Sequence, residues 1–138
     1  MERSLVLIKP DAMERGLAGV IIGRLQGEGL RLTGLKMLRM DKALAERHYA
    51  VHKGKPFFDG LLEYITSTPI VAAVFEGEGV IERIRKLMGA TDPAKAAPGT
   101  IRKDYGLDLQ RNSTHASDSP ENGEIETGNI FRKDEIFR

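Results

Sequence analysis

Six consecutive apolar residues, Ile70-Val71-Ala72-Ala73-Val74-Phe75, constrain this chain more than any other stretch. A continuous apolar run of that length, bounded by polar and turn-forming residues, predicts a strand at the centre of a sheet with no face left to solvent. Residues 5–8, Leu5-Val6-Leu7-Ile8, give the same signal more briefly and are halted by Pro10. The other elements must therefore arrange themselves around at least two buried strands.

Apolar residues at helical spacing predict a helix over 18–27, stopped by glycines. Residues 30–40 alternate in part and predict a long strand with an irregularity at Gly34. Asp41 is a good N-cap for a helix running through Leu44, His48 and Val51. Pro56 opens another that carries Phe58, Leu61, Leu62 and Ile65. After Gly77 and Gly79, the residues Val80, Ile81, Ile84 and Leu87 share one helix face. Residues 89–106 are rich in Gly, Pro, Ala and Thr and predict a long ordered loop, a feature usually functional in a compact domain. A short strand is expected over 105–109. Ser119-Pro120-Glu121 is a strong helix start, although Gly123 and Gly128 are unfavourable inside that helix. The order β-α-β-α-α-β-α-loop-β-α predicts an α+β sandwich on a split βαβ plan. A length of 138 residues fits a single domain spanning 1–138.

Composition excludes several functions. The net charge is 21 − 20 = +1, so the surface as a whole is not built for nucleic acid or an anionic membrane, and anion binding must come from local clusters. Cysteine is absent, which excludes disulfides and thiolate chemistry and agrees with a reducing compartment. The N-terminal apolar run is too short for a signal-peptide core, and no run approaches the roughly 20 residues of a membrane helix. A cytoplasmic protein is expected. There is no phosphate-cradling Gly-x4-Gly-Lys-Ser/Thr loop, no dinucleotide glycine spacing, and no aromatic doublet of the RNA-binding strand type.

Chemistry concentrates in Asn112-Ser113-Thr114-His115-Ala116-Ser117-Asp118-Ser119. A neutral imidazole is a good nucleophile near neutral pH and can carry a group between two half-reactions. Small neighbours leave room around the His115 ring, and hydroxyls and a carboxylate can fix its tautomer. The plainer alternative is a loop histidine hydrogen-bonded to Ser117 or Asp118. Zinc ligation is disfavoured there because no second ligand lies at zinc spacing in the segment. His48 and His52 share a helix face at i, i+4, but the stretch between them lacks the glutamate of the metalloprotease motif, so a half-exposed pair with one member near a ligand is expected. Among the cations, Lys9 ends a buried strand where ligands meet sheets. Arg102 ends the Gly/Pro/Thr stretch Ala97-Pro98-Gly99-Thr100-Ile101-Arg102, where a guanidinium can clamp a phosphate through two donors. Phe57 and Phe58 after Pro56 read as a core pair, Phe58 above all, with an exposed stacking surface for a planar base as the alternative for one of them.

With those residues assembled, the chain resembles the nucleoside diphosphate kinases from Leu5 to about Phe131. The most specific block is Asn112-x-x-His115-Ala116-Ser117-Asp118-Ser119. Supporting blocks are Ile8-Lys9-Pro10-Asp11, His48-Tyr49-x3-Lys53-x2-Pro56-Phe57-Phe58, Met88-Gly89-Ala90-Thr91-x-Pro93 and Pro98-Gly99-Thr100-Ile101-Arg102. The resemblance implies a ferredoxin-like α+β fold, a four-stranded antiparallel sheet covered by helices. It also implies a ping-pong transfer in which His115 takes the γ-phosphate of a nucleoside triphosphate and passes it to a nucleoside diphosphate. Carried over by position, Lys9, Tyr49, Arg85, Thr91 and Arg102 would hold phosphates, with His52 near them. Lys9 and Asn112 would contact the sugar, and Phe57, Leu61 and Leu109 would contact the base. Ser117 and Glu126 would position the imidazole, and Asp118 would lie near water on a Mg²⁺ ion that arrives with the nucleotide. Broad base tolerance and a homo-oligomer built from dimers, a tetramer or hexamer, are further implications. The short stretch after Phe131 limits tail-mediated contacts. Ala116 replaces the usual glycine, and Gly128-Asn129 replace an apolar stretch, which bears on how Glu126 is seated. The alternatives are a ferredoxin-like module that binds nucleotides or nucleic acid without turnover, and a histidine phosphocarrier; nucleic acid is not the expected main ligand.

Overall fold

In the computed structural model, which describes residues 2–138, the chain runs β1 (Glu2–Ile8), α1 (Pro10–Glu14), α2 (Ala18–Gly27), β2 (Arg31–Leu38), α3 (Lys42–His48) and α4 (Phe58–Ile65). It continues through β3 (Ile70–Gly77), α5 (Val80–Met88), α6 (Ile101–Tyr105), β4 (Thr114–Ala116) and α7 (Pro120–Ile130). Short 3-10 turns lie at Ala50–His52, Pro93–Lys95 and Lys133–Glu135. The strands form one antiparallel sheet in the order β2-β3-β1-β4, the ferredoxin-like arrangement.

The two apolar runs, β1 and β3, occupy the middle, with Leu5 opposite Val74 and Leu7 opposite Ala72. Side-chain alternation splits each run between two cores. Val6, Ile8, Ala73 and Phe75 pack with Ile21 and Leu25 of α2 and Ile84 and Met88 of α5. Leu5, Leu7, Ala72 and Val74 pack with Ala45 and Tyr49 beside α3, Leu62 and Ile65 of α4, and Ile130 and Phe131. Helices on both faces explain why these strands carry no polar alternation. Burying each large aliphatic side chain contributes about 1.5–3 kcal/mol, so the runs also supply much of the stability.

The structure corrects several local expectations. Pro10 halts β1 but also opens the five-residue helix α1, where its fixed φ suits the first helical position. The helix expected through Val51 ends at His48 and gives way to a 3-10 turn. The next helix begins at Phe58 rather than at Pro56. Strand β2 covers Arg31–Leu38 rather than 30–40, and its register slips between Leu32 and Gly34, the irregularity expected there. Residues 89–106 are not all loop. Asp92 caps the 3-10 turn, and Thr100 caps α6 by accepting the Lys103 N–H. No strand forms over 105–109. The fourth strand is instead Thr114–Ala116, which pairs His115 with Leu7. Its polar sequence hides it, because an edge strand three residues long takes its conformation from its partner rather than from its own pattern.

Helix α7 runs unbroken through both of its doubtful glycines. Ser119 caps it by accepting the Asn122 N–H at 3.1 Å. The two glycines differ physically. A Cβ at Gly123 would overlap the carbonyl oxygen of Arg3 in β1, whereas a Cβ at Gly128 meets nothing within 4 Å. Gly123 therefore allows close helix–strand approach, and Gly128 carries only the helix penalty of glycine. Gly123→Ala is expected to destabilise by about 3 kcal/mol or more through overpacking, while Gly128→Ala should stabilise by about 0.5–1 kcal/mol. Thermal melts of the two variants should move in opposite directions.

Candidate active site

The segment before His115 is held in a tight, strained turn. Thr114 N–H donates to Asn112 O at 2.9 Å across Ser113, whose φ is +71°. That is a γ-turn with a non-glycine residue in the left-handed region, a conformation that persists only when its surroundings enforce it. Three bonds do so. Lys9 N–H donates to Ser113 O at 2.9 Å, Ser113 N–H donates to Asp11 Oδ2 at 3.0 Å, and the Tyr64 hydroxyl donates to Asp11 Oδ1. The strand that follows presents the His115 ring.

A chain of hydrogen bonds fixes that ring. Leu5 N–H donates to Ser117 Oγ at 3.0 Å, which leaves the Ser117 hydroxyl proton to point at Glu126 Oε1, 2.6 Å away. The same carboxylate oxygen lies 2.9 Å from His115 Nε2. Burial favours the protonated acid at Glu126, but the bonds from His115 and Ser117 outweigh it and hold the group below its ordinary value. An ionised Glu126 accepts the Nε2 proton, so Nδ1 keeps its lone pair. Glu126 reaches this position because α7 continues past it.

His48, the last residue of α3, stacks edge-on against His115 with ring centroids 4.6 Å apart and makes the same contact with Tyr49. It is 8% exposed, and neither ring nitrogen has a hydrogen-bond partner among the described residues. Burial, then the adjacent His115, push its pKa down to about 3, so it is neutral. The Tyr49 hydroxyl is also buried without a partner, and burial raises its pKa, which keeps it a donor.

These groups line a cleft of about 1160 Å³. Lys9 is 7% exposed and donates from Nζ to Asn112 Oδ1 at 2.9 Å and to Gln110 O at 3.2 Å. Asn112 in turn donates to Thr91 O at 2.9 Å. Arg102, on α6 rather than at a loop end, donates from Nη1 to Gly89 O at 3.0 Å and from Nη2 to Thr114 O at 2.9 Å. Burial and the neighbouring Arg85 lower its pKa to about 10. Burial and Arg102 lower that of Lys9 to about 8. Lys9 and Arg102, each with its proton affinity lowered by burial and a neighbouring guanidinium, mark a place in the cleft suited to an anion. At the rim stand Phe57, 52% exposed, and Leu109, 63% exposed, with Leu61 between solvent and core. Phe58 packs inward as expected. His52 lines the same cleft with Nδ1 3.3 Å from Lys55 Nζ; burial, then Lys55, lower its pKa. Asp118, exposed at the edge, accepts from Asn122 Nδ2 at 2.6 Å.

Every residue expected at the site from the sequence lines this one cleft except Ser117, which supports it from behind. What sequence reasoning missed is the pairing of His48 with His115. Spacing coupled His48 to His52, but α3 stops between them, and no local signal points from residue 48 to residue 115. Arg47 and Ile125 also line the cleft without having been singled out.

Residues 2–136 match the family model described as Nucleoside diphosphate kinase. The chain belongs to this family. The nucleoside diphosphate kinase of Roseiflexus castenholzii is 58% identical over 136 residues, covering 99% of this chain and 91% of that protein. The enzyme of Chloroflexus aggregans is 57% identical at the same coverage. Among solved structures, the nucleoside diphosphate kinase of Aquifex aeolicus superimposes with a TM-score of 0.95 at 46% identity, covering 98% of each chain. That of Halobacterium salinarum, solved in complex with CDP, gives 0.96 at 49% identity, covering 99% of this chain and 91% of its own. The protein is thus an enzyme of nucleotide metabolism that moves phosphate between nucleotides. Among the described residues, no helix is long and apolar enough to cross a membrane.

Proposed function

We propose that this member of the family works by a ping-pong mechanism through a phosphohistidine at His115. The observation that carries this reading is the relay from Leu5 N–H through Ser117 and Glu126 to His115 Nε2, which leaves Nδ1 as the free nucleophile. In the first half-reaction the Nδ1 lone pair attacks the γ-phosphorus in line. The bond to the bridging oxygen breaks, its electron pair stays on the β-phosphate, and the nucleoside diphosphate leaves. In the second, a terminal β-phosphate oxygen of another diphosphate attacks, the P–N bond breaks, and its electron pair returns to Nδ1. Glu126 stabilises the positive imidazole that exists while the phosphoryl group is attached.

Phosphoryl transfer needs alignment and charge stabilisation more than proton shuttling. Lys9, Tyr49, Arg85, Thr91 and Arg102 would hold the phosphates, with His52 near them. Lys9 and Asn112 would hold the sugar, and Phe57, Leu61 and Leu109 the base. Contact with the base through the apolar side chains of Phe57, Leu61 and Leu109 does not depend on its hydrogen-bonding edges, so broad base tolerance is expected. The exposed Asp118 carboxylate beside Asn122 at the rim fits a Mg²⁺ ion that arrives on the nucleotide and is held through water. Such an ion neutralises charge on the transferring phosphates. We further read the chain as one domain over 1–138 that assembles as a homo-oligomer of dimers, tetramer or hexamer, in the cytoplasm. The CDP held by the Halobacterium enzyme agrees with nucleoside diphosphates as ligands.

Incubation with MgATP should place an acid-labile phosphate on His115, which a second nucleoside diphosphate removes; persistence of the label after that chase would sink the mechanism. Ser117→Ala is expected to lower kcat about 10-fold, because Glu126 loses one of its hydrogen-bond donors and the buried Leu5 N–H loses its acceptor. A steady-state assay with a thermal melt separates the two effects.

Lys9 gives a pH prediction. Its folded pKa, about 8, lies below the ordinary 10.5, so it is charged below pH 8 and loses its charge as the pH rises. The kcat/KM profile, which reports the free enzyme, should fall on the alkaline side with an apparent pKa near 8. In Lys9→Arg, charged throughout, that limb should shift well to higher pH; an unchanged profile would remove Lys9 from the site.

A further inference from the structure

We infer that His48, His115 and Glu126 form a binding site for a borderline dication of the Zn²⁺ class, and that the bound ion silences the enzyme. One donor atom from each residue lies within 4.8 Å of the others, and His115 Nε2 is already 2.9 Å from Glu126 Oε1. The independent observation is His48. Its imidazole is buried against the nucleophile with both ring nitrogens lacking a partner among the described residues, whereas buried polar groups in native proteins are paired with few exceptions. A metal ion is one partner that would satisfy it.

Two imidazoles and one carboxylate are a set that zinc accepts, with a fourth position left for water. Magnesium, which prefers oxygen ligands, is not suited to it. Tetrahedral nitrogen and oxygen ligands about 2 Å from an ion are about 3.3 Å apart, so the ring of His48 would have to close by about 1.5 Å at most. The other two ligands stand on β4 and α7, and the Ser117 hydroxyl bonded to Glu126 Oε1 is the outer-shell support that ligating carboxylates need.

The effect on catalysis follows from proton position and rests on the reading of His115 as the nucleophile. An ion on Nε2 takes the electron pair there and leaves the neutral ring with its proton on Nδ1. The ring itself stays neutral and no redox change occurs, the ion's charge being partly offset by the Glu126 carboxylate, but Nδ1 loses the lone pair needed for attack. Inhibition should therefore act on the phosphorylation rate and not on nucleotide affinity.

The test uses the full chain without nucleotide, titrated with Zn²⁺ by calorimetry and with Co²⁺ by visible absorption, which reports tetrahedral coordination. One ion per chain should bind, and both His48→Phe and Glu126→Gln should weaken binding about 100-fold. Circular dichroism of each variant establishes that it is folded. Failure of the wild type to bind Zn²⁺, or equal affinity in folded His48→Phe, would overturn the site. In a second arm, Zn²⁺ added before saturating MgATP should slow labelling of His115. Full relief by more MgATP would show mere chelation by nucleotide and overturn the silencing. If metal-free protein is not labelled on His115 at all, the phosphohistidine reading fails while the binding result stands by itself.

Discussion

Replacing His115 with alanine is expected to reduce phosphate transfer by about 10⁴-fold or more and to abolish labelling by MgATP. The size of the effect follows from the proposed chemistry. Without a group to receive the phosphoryl, the two half-reactions collapse into a direct transfer between two nucleotides, and one cleft of about 1160 Å³ would have to hold both in line. The fold should tolerate the change. His115 is half-buried on an edge strand, and its pairing with Leu7 is made by the backbone. A His115→Ala protein that melts like the wild type and transfers phosphate within tenfold of it would end the histidine mechanism. His115→Asn should fare no better, since it keeps a polar side chain near Glu126 but presents no nucleophilic lone pair.

Arg102→Ala is expected to lower kcat by about 10³-fold, roughly 4 kcal/mol of transition-state stabilisation. The guanidinium is mostly buried beside Arg85, where charge is poorly screened, and Lys9 is close enough to feel it. Charge that spreads over the transferring phosphoryl group meets it in a site where no solvent reorganisation is needed. Arg102 also holds the carbonyls of Gly89 and Thr114, the latter adjacent to the nucleophile. The alanine variant should therefore also lose stability, by about 1–3 kcal/mol for two carbonyls left unpaired. Arg102→Lys separates these roles. It restores a charge but not the two-pronged donor, so it should recover only part of kcat. Transfer within tenfold of wild type in folded Arg102→Ala would show that the phosphates lie elsewhere.

The sequence made the central sheet legible because burial on both faces leaves a continuous apolar run, and both runs became the middle strands. It made the phosphate cations and stacking ring legible through residue type and motif. It failed at β4. Thr114-His115-Ala116 has no strand pattern and pairs only because β1 offers an open edge, so the nucleophile was expected in a loop and the strand nearby over 105–109. Helix boundaries around Pro56 and Val51 failed for a related reason. Capping residues mark where a helix can start, whereas tertiary packing decides where it does.

The sequence by itself determined the two buried strands, the absence of thiol chemistry, the lack of a phosphate-binding loop, and the residue types gathered around His115. Only the tertiary structure decided which of them meet. Residues 5, 117, 126 and 115 join in one hydrogen-bond chain, and His48 turns from its helical neighbour His52 to the ring of His115. Spacing along a chain reports contacts within one helix or strand. Contacts between elements depend on sheet order and on where each helix ends, and both are settled by the packing of the two cores.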